Sequence, residues 1–197
     1  LPVQDGGIAV EEFPLELPGR REALCSRRAD RLQFGAAGSR PVVALLPGSR
    51  TNELRAILPE VARAAATIAA SVPGVQFLVA RAPHLRDDLF APLGTLTAAG
   101  VTLRSLPGRA DDVLGSADVA IVASGTVTVQ AALHECPMIV VYRLSPLTYR
   151  LGKPFVRVDT YAMANLVAGR RVVPELIQDD FTAGAVAREA IDLLTNP

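Results

Sequence analysis

Four residues suited to anion binding follow an apolar run in the N-terminal half of the chain. The run is residues 42–46, and Pro47, Gly48, Ser49 and Arg50 come directly after it. Glycine lets a ligand approach the backbone, serine adds a hydroxyl, and the planar guanidinium of arginine matches phosphate oxygens. These residue types predict an anionic ligand at this turn. An ordinary turn with a solvated arginine is the alternative that the four residues leave open.

A second turn of small polar residues follows the later apolar run VAIV. Ser124, Gly125 and Thr126 stand there, and a helix predicted to begin near Ser124 would direct its N–H groups and positive dipole end at a phosphate. The β-branched VTV that follows opposes a helix, but the continuation QAALHE and the crossover that a parallel sheet requires favour one. Gln130 would then lie about one and a half turns into the helix, within reach of a sugar on that phosphate. A helix-surface glutamine is the alternative.

Motifs for several other kinds of chemistry are absent from the sequence. Neither turn contains G-x-G-x-x-G and no P-loop pattern occurs, so an NAD-type dinucleotide and P-loop nucleotide hydrolysis are not expected. His84 and His134 are far apart, and surface or packing roles are expected for both. The adjacent aspartate pairs at 87–88, 111–112 and 179–180 would diverge on a helix or strand, and they are expected to be solvated faces or caps instead of an acid–base dyad. Cys25 and Cys136 lack metal-ligand spacing and predict structural thiols in a reducing compartment.

Apolar runs separated by helix-compatible segments indicate the fold that must position these turns. The alternation predicts an α/β domain with a Rossmann-like parallel sheet flanked by helices, and ligands of such sheets bind outside the carboxyl ends of the strands. A long helix is expected where apolar residues recur at helical spacing from Leu54 to Ile68, with Pro59 kinking or restarting it. A last helix is expected over 183–194. The apolar runs lie at 42–46, 75–80, 101–103, 119–122 and 138–142.

Composition sets further limits on domains and partners. The chain has 197 residues, 50% of them hydrophobic, with 20 basic and 20 acidic residues. One compact domain is expected over residues 41–197, and residues 1–40 are interpreted as a divergent N-terminal segment or interdomain connection with a short helix at 21–32. Zero net charge without basic blocks argues against nucleic acid as a partner. No apolar run reaches the roughly 20 residues that span a bilayer, the start lacks signal-peptide features, and the missing initial methionine raises the possibility of a fragment.

Three segments together resemble a known family. They are LLPGSRTNELRAILP, SGTVTVQAALHECPMIVVYRLSPLT and NLVAGRRVVPELIQDDFT, and their order and spacing resemble the C-terminal half of bacterial lipid-A-disaccharide synthase from residue 42 to the end. The resemblance implies a two-domain GT-B glycosyltransferase, whose N-terminal domain carries the acceptor site and whose C-terminal domain binds the UDP-sugar donor. The implied reaction joins UDP-2,3-diacylglucosamine to 2,3-diacylglucosamine 1-phosphate, inverts the anomeric carbon and releases UDP. No cofactor and no required metal are implied.

The resemblance also implies roles for individual residues. Arg50 matches an essential arginine that neutralises pyrophosphate charge as UDP departs, and Asn165 matches an asparagine near the donor phosphates or sugar, so both are predicted to be catalytic. A buried turn residue is the alternative for Asn165. Substrate-binding roles are predicted for residues of the two turns and for the pair that ends the fifth apolar run: Gly48, Ser49, Ser124, Gly125, Thr126, Gln130, Tyr142 and Arg143.

The chain departs from the family pattern in three respects. Gln130 stands where the family usually has a glutamate that holds the ribose hydroxyls, which removes a negative charge and predicts weaker ribose binding. Ala164 replaces a proline before Asn165 and relaxes the backbone there. No recognisable acceptor domain, which in the family carries the proposed acidic general base, precedes residue 41. A donor domain alone is expected to bind a UDP-sugar and to be a poor catalyst.

Partners and location follow from the resemblance. The expected partners are UDP-diacylglucosamine, UDP and, through the missing N-terminal domain, an acylated sugar phosphate acceptor, in the cytoplasm of a Gram-negative bacterium. Peripheral contact with the inner membrane is an alternative to a solvated face for the basic residues Arg143, Arg150, Lys153 and Arg157. A noncatalytic UDP-sugar-binding module also stays open. So does another GT-B enzyme, such as the lipid II glucosaminyltransferase or a UDP-N-acetylglucosamine epimerase, although NLVAGRRVVPELIQ argues against both of these.

Overall fold

The computed structural model of the protein describes residues 40–143 and 161–196. In this part of the chain six strands form one sheet in the order β3-β2-β1-β4-β5-β6, and every neighbouring pair is parallel. This is the strand order of a Rossmann-like fold, so the predicted fold class is confirmed. The strands are β1 (Val42–Leu46), β2 (Gln76–Arg81), β3 (Leu103–Pro107), β4 (Val119–Ala123), β5 (Met138–Tyr142) and β6 (Glu175–Ile177).

Helices cover both faces of the sheet. Alternate residues of β1 enter different cores, since Val43 and Leu45 pack with α1 and α6, whereas Ala44 and Leu46 pack on the face of α3 and α4. This period of two is the geometry of a strand buried on both sides. The helices are α1 (Thr51–Ser71), a 3-10 helix (Asp87–Leu93), α2 (Gly94–Ala98), α3 (Ala110–Ser116), α4 (Val127–Leu133), α5 (Met163–Ala168) and α6 (Ala183–Thr195).

Helix α1 contains the predicted apolar stripe and continues through its proline. Leu54, Ile57 and Ile68 are fully buried, and the helix extends from Thr51 to Ser71 with Pro59 inside it. The expectation of a fresh start at Pro59 is therefore wrong. Burial of the apolar face against the sheet and α6 outweighs the local cost of the proline, which removes one N–H donor from the helix.

The strand boundaries differ from the prediction at the edges of the sheet. β1 and β5 begin and end where their apolar runs do, but β3 covers Leu103–Pro107 instead of 101–103. β6, at the other edge, was not predicted, because three residues are too few to show a periodicity. Its place is fixed by pairing with β5, where Val141 lies opposite Leu176. The predicted helix at 21–32 lies outside the described residues. The predicted domain boundary at residue 41 lies at the start of the described part, so both stay predictions.

The order of the strands brings the two predicted turns to one edge of the sheet. β1 and β4 are neighbours, and Leu46 lies opposite Val122 at their carboxyl ends. The chain leaves β1 toward α1 on one face and leaves β4 toward α4 on the other. Such a divergence opens a crevice between the two turns, which is the usual ligand position in this type of sheet.

Candidate ligand-binding site

A cavity of about 550 Å³ lies at the carboxyl edge of the sheet, between the turns after β1 and β4. The ends of β2 and β3 complete its walls. We call it the ligand cavity. Seven of the ten residues predicted for the site line it: Gly48, Ser49, Arg50, Ser124, Gly125, Thr126 and Gln130. The structure thus brings together the two turns that the sequence separates by more than seventy positions.

The turn after β1 is held in a conformation that suits glycine. Gly48 has a φ of +112°, and a Cβ at this position would overlap the carboxylate of Glu53. The N–H of Ser49 donates to Oε2 of Glu53 at 3.2 Å, so the glutamate in the first turn of α1 stabilises the approach to that helix. Arg50 is exposed and directly precedes α1. Its guanidinium is therefore accessible to an anion in the ligand cavity.

The turn after β4 is partly occupied by hydrogen bonds within the protein. The hydroxyl of Ser124 donates to the carbonyl oxygen of Tyr161 at 2.9 Å. The hydroxyl of Thr128 donates to the carbonyl oxygen of Gly125, also at 2.9 Å. Helix α4 begins at Val127, later than the predicted start near Ser124, because Gly125 has a φ of +157° that no helix continues. Thr126 is exposed at this turn, which leaves its hydroxyl available to a ligand.

Gln130 lies in α4 and lines the ligand cavity, as the prediction requires. Because the helix begins at Val127, Gln130 is about one turn inside it. The residue is half-buried. Its side-chain amide can accept and donate hydrogen bonds, which suits the hydroxyls of a sugar beside an anion-binding turn. The local β-branched residues do form a helix here, since packing against the sheet overrides their weak helix preference.

Two arginines that sequence reasoning missed also line the ligand cavity. Arg81 ends β2 and Arg109 follows β3. Arg81 forms an ion pair with Asp87 and lies 5.9 Å from the ring centroid of Phe90. Nε of Arg109 lies 2.6 Å from Oδ2 of Asp112. Arg81 directly follows the predicted run 75–80, which could have found it, because the carboxyl ends of parallel strands meet at one edge. Arg109 lies six residues beyond the predicted run 101–103, since β3 continues to Pro107, and no such signal marked it.

The charges around the ligand cavity favour an anion. Among the residues that the structure describes, Arg50, Arg81 and Arg109 line it together with one carboxylate, that of Glu53. The Glu53 carboxylate is itself bonded to the backbone N–H of Ser49. Guanidinium groups bind phosphate oxygens through paired N–H donors, so the chemistry of the walls fits a phosphorylated ligand. In residues 40–143 and 161–196 no group of three or more His, Cys, Asp or Glu side chains is placed to hold a metal ion.

Asn165 lies outside the ligand cavity in a buried polar network. The residue is 1% exposed, and its amide nitrogen donates to the carbonyl of Val173 at 3.0 Å and to Oε1 of Glu175 at 2.6 Å. Its amide oxygen accepts from the N–H groups of Val172 and Val173 at 2.7 and 3.0 Å. All hydrogen-bonding groups of the amide are therefore used within the protein. The catalytic role of Asn165 stays a prediction, and this geometry favours a structural role.

The network around Asn165 still bears on the cavity. Glu175 accepts hydrogen bonds from the N–H groups of Tyr161 and Ala162 at 2.8 and 3.1 Å. The carbonyl of Tyr161 in turn accepts from Ser124 at the turn after β4, and Met163, the first residue of α5, lines the ligand cavity. The buried network thus holds one wall of the cavity in place.

Tyr142 and Arg143 do not line the ligand cavity, although both were predicted to bind substrate. Tyr142 ends β5 and packs against the core between the sheet and α1. The guanidinium of Arg143 donates to the carbonyl oxygen of Phe181, stacks 4.8 Å from the Phe181 ring centroid and lies 3.7 Å from Oε1 of Glu60. These contacts connect β5 to α1 and to the segment before α6. A substrate contact of either residue stays a prediction.

Among the helices of residues 40–143 and 161–196, none has both the length and the apolar character that a bilayer span requires. Arg150, Lys153 and Arg157 lie outside the described residues. The predicted membrane contact of the basic residues therefore rests on the sequence alone.

Comparisons with known proteins agree with the motifs. A family model described as lipid-A-disaccharide synthetase matches residues 26–197. The chain is 42% identical over 179 residues to a lipid-A-disaccharide synthase of Geobacter sulfurreducens, which covers 91% of this chain and 44% of that protein. It is 41% identical over 162 residues to the synthase of Myxococcus xanthus, which covers 82% of this chain and 42% of that protein. The chain spans less than half the length of these two relatives.

Solved glycosyltransferase structures share the fold. The likeness to WaaG, a glycosyltransferase involved in lipopolysaccharide biosynthesis, has a TM-score of 0.58 at 16% identity and covers 87% of this chain and 42% of WaaG. The Escherichia coli ADP-heptose heptosyltransferase II gives a TM-score of 0.55 at 14% identity, over 87% of this chain and 51% of that protein. These likenesses support the glycosyltransferase fold that the resemblance implied. The family match, the three ordered motifs and the sheet order agree, and the chain belongs to the lipid-A-disaccharide synthase family.

Proposed function

We propose that this chain is the donor-binding half of a lipid-A-disaccharide synthase. In this reaction 2,3-diacylglucosamine passes from UDP-2,3-diacylglucosamine to 2,3-diacylglucosamine 1-phosphate, giving lipid A disaccharide 1-phosphate and UDP. The observation that carries the proposal is the convergence of Arg50 with the Ser124–Thr126 turn on one cavity whose walls carry three arginines. An arginine-lined crevice at the switch point of a parallel sheet suits a nucleotide diphosphate.

Each wall of the ligand cavity has a chemical task in the proposed reaction. Bond breaking between the anomeric carbon and the phosphate leaves extra negative charge on UDP, and Arg50 is placed to neutralise it. Thr126 offers a hydroxyl at the opposite turn, and Gln130 offers an amide to the ribose hydroxyls. The acceptor hydroxyl attacks the anomeric carbon from the other side, which inverts its configuration, and loses its proton to a base outside this half.

We infer that the chain alone binds the donor but turns it over poorly. It spans less than half the length of the two synthases named above, and the family places the acceptor site in the other half. Without that half the acceptor hydroxyl is not positioned for attack, and positioning accounts for a large part of the rate of such reactions. A cytoplasmic location with peripheral contact to the inner membrane is part of the same proposal.

Calorimetry with UDP tests the proposal directly. The 197-residue chain is expected to bind UDP more tightly than ADP, because the proposed donor carries uracil. ADP is the control, since it has the same diphosphate and a different base. A disaccharide product is expected only when the acceptor half of a relative, such as that of Geobacter sulfurreducens, is added with both acylated substrates. UDP binding without product in that mixture favours a noncatalytic UDP-sugar-binding module. Absence of UDP binding contradicts the proposal.

A further inference from the structure

The loop after β2 contacts the turn that carries Arg50. His84 lies in this loop, and its Nε2 is 2.9 Å from the carbonyl oxygen of Ser49, a residue 35 positions earlier. A carbonyl oxygen only accepts hydrogen bonds, so Nε2 carries the hydrogen and donates it. This bond joins the ends of two neighbouring strands at the mouth of the ligand cavity, where Ala82 and Pro83 of the same loop also line the wall.

The backbone of Ser49 is held on both sides. Its carbonyl accepts from His84, and its N–H donates to the Glu53 carboxylate. The carbonyl of Ser49 and the N–H of Arg50 belong to the same planar peptide group, in which they point in opposite directions. A hydrogen bond that fixes the carbonyl therefore fixes the direction of the Arg50 N–H and the position of the Arg50 Cα, from which the side chain departs.

The parts on either side of this contact are themselves anchored. Leu85, next to His84, is 5% exposed and packs in the core, and its N–H donates to the carbonyl of Ala82 at 3.1 Å. On the other side, the carbonyl of Arg50 accepts from the N–H of Leu54 at 2.9 Å, within α1. His84 is thus an exposed side chain on a fixed loop. It is hydrogen-bonded to the peptide group that joins Ser49 to Arg50.

We propose that His84 is a positioning residue for the donor site, acting through the Ser49–Arg50 peptide to hold Arg50 toward the anion in the ligand cavity. This inference rests on the proposed function, because it assumes that Arg50 meets the diphosphate of UDP. It assigns a role to a histidine for which the sequence indicated only a surface or packing position. His84 touches neither the ligand nor the reacting atoms in this assignment.

Calorimetry with UDP on the 197-residue chain tests the role of His84. His84→Ala is expected to weaken UDP binding about twofold to tenfold, the range for loss of one hydrogen bond. His84→Gln, whose amide can donate to the same carbonyl, is expected to recover most of the affinity. His134→Ala is the matched control, since that ring lies 3.1 Å from Asp111 and not at the turn. Its affinity for UDP should match that of the unmodified chain.

A double-mutant cycle separates positioning from a general structural effect. Once Arg50 is replaced by alanine, His84→Ala should cause little further loss of UDP affinity, because the group that His84 positions is gone. Equal losses in both backgrounds overturn the inference. So does unchanged affinity of His84→Ala when the unmodified chain binds UDP and Arg50→Ala weakens it, a result that leaves the proposed function intact. If the unmodified chain does not bind UDP, the proposed function and the role of His84 both fail.

Discussion

The ligand cavity and the buried network around Asn165 are neighbouring polar regions that use their hydrogen-bonding groups differently. At the ligand cavity, Arg50 and Thr126 are exposed. In the network, Asn165 is 1% and Glu175 is 7% exposed, and the Asn165 amide is fully bonded within the protein. The two regions meet through Tyr161, whose carbonyl accepts from Ser124 and whose N–H donates to Glu175.

Residue type alone therefore does not distinguish a ligand contact from a structural one. Arginine, serine and asparagine all have the chemistry to bind a phosphorylated sugar. What separates them is whether their donors and acceptors already have partners. A buried amide whose hydrogen bonds are all made within the protein stabilises the fold, and truncating it lowers the stability of the protein. An exposed guanidinium is free to exchange water for an anion.

The largest effect that the comparison predicts is loss of stability in Asn165→Ala. The substitution leaves the carboxylate of Glu175 and the N–H groups of Val172 and Val173 with missing partners. We expect the free energy of unfolding to fall by about 3 kcal/mol, the range for breaking a buried, partly charged network. Urea denaturation measures it. Asn52→Ala, at an exposed position in α1, is the control and should change stability by less than about 0.5 kcal/mol. Equal stability of the two variants would contradict the structural role.

Arg50→Ala tests the opposite side of the comparison. Arg50 is exposed, so its loss should leave stability nearly unchanged and weaken UDP binding about tenfold to a hundredfold, as expected for hydrogen bonds to a charged ligand. Calorimetry with UDP measures the affinity. Arg55→Ala removes an exposed guanidinium on α1 that does not line the ligand cavity and should bind UDP normally. An unchanged affinity of Arg50→Ala removes this residue from the site.

Glu60, like Asn165, is a polar residue whose side chain already has partners within the protein. Its carboxylate pairs with Arg63 at 2.7 Å, accepts from the N–H of Ala183 at 3.0 Å and lies 3.7 Å from Arg143. Burial raises the pKa of Glu60, but the hydrogen bond and charge of Arg63, the Ala183 N–H and the charge of Arg143 together lower it below the ordinary value of 4.5. The ionised form is therefore favoured in the folded protein.

The lowered pKa of Glu60 makes its contribution to stability depend on pH. The unfolded chain takes up the proton more readily than the folded one, so the contribution is complete above pH 4.5 and is lost as the pH falls through the lower folded pKa. At neutral pH, Glu60→Gln should unfold more easily by about 1 kcal/mol. Its difference from the unmodified chain should shrink in denaturation series taken below pH 4.5. A difference that stays constant with pH would contradict the ion-pair role.

The sequence predicts the sheet and the convergence of the two turns, because buried parallel strands are aliphatic runs and their ends share one edge. It does not decide between a buried turn position and a donor contact for Asn165, because the burial depends on Glu175 and on a loop whose path is set by the tertiary structure. Nor does it predict that Arg143 stacks on Phe181 beside α1, instead of reaching the ligand cavity. Periodicity reports which face of an element is apolar, whereas the partners of a polar side chain come from distant parts of the chain.

The smallest predicted effect concerns Gln130, which lines the ligand cavity and is half-buried. In Gln130→Glu the carboxylate can accept hydrogen bonds from both ribose hydroxyls, and charged acceptors bind more strongly than an amide. The same charge repels the phosphates, so the gain should be larger for UMP than for UDP and should increase when salt screens the repulsion. We expect UMP to bind about twofold to fivefold more tightly, the size of a modest change in one hydrogen bond.

Gln130→Ala is the matched variant, because it removes the amide without adding charge. If Gln130 faces the ribose, this variant should bind UMP more weakly than the unmodified chain, while both bind inorganic pyrophosphate equally. Unchanged UMP affinity in both variants would show that Gln130 lines the cavity without meeting the sugar. The residue would then belong with Asn165, as a polar side chain whose place near the site reflects the packing of the fold, and the ribose would have to lie against another wall of the ligand cavity.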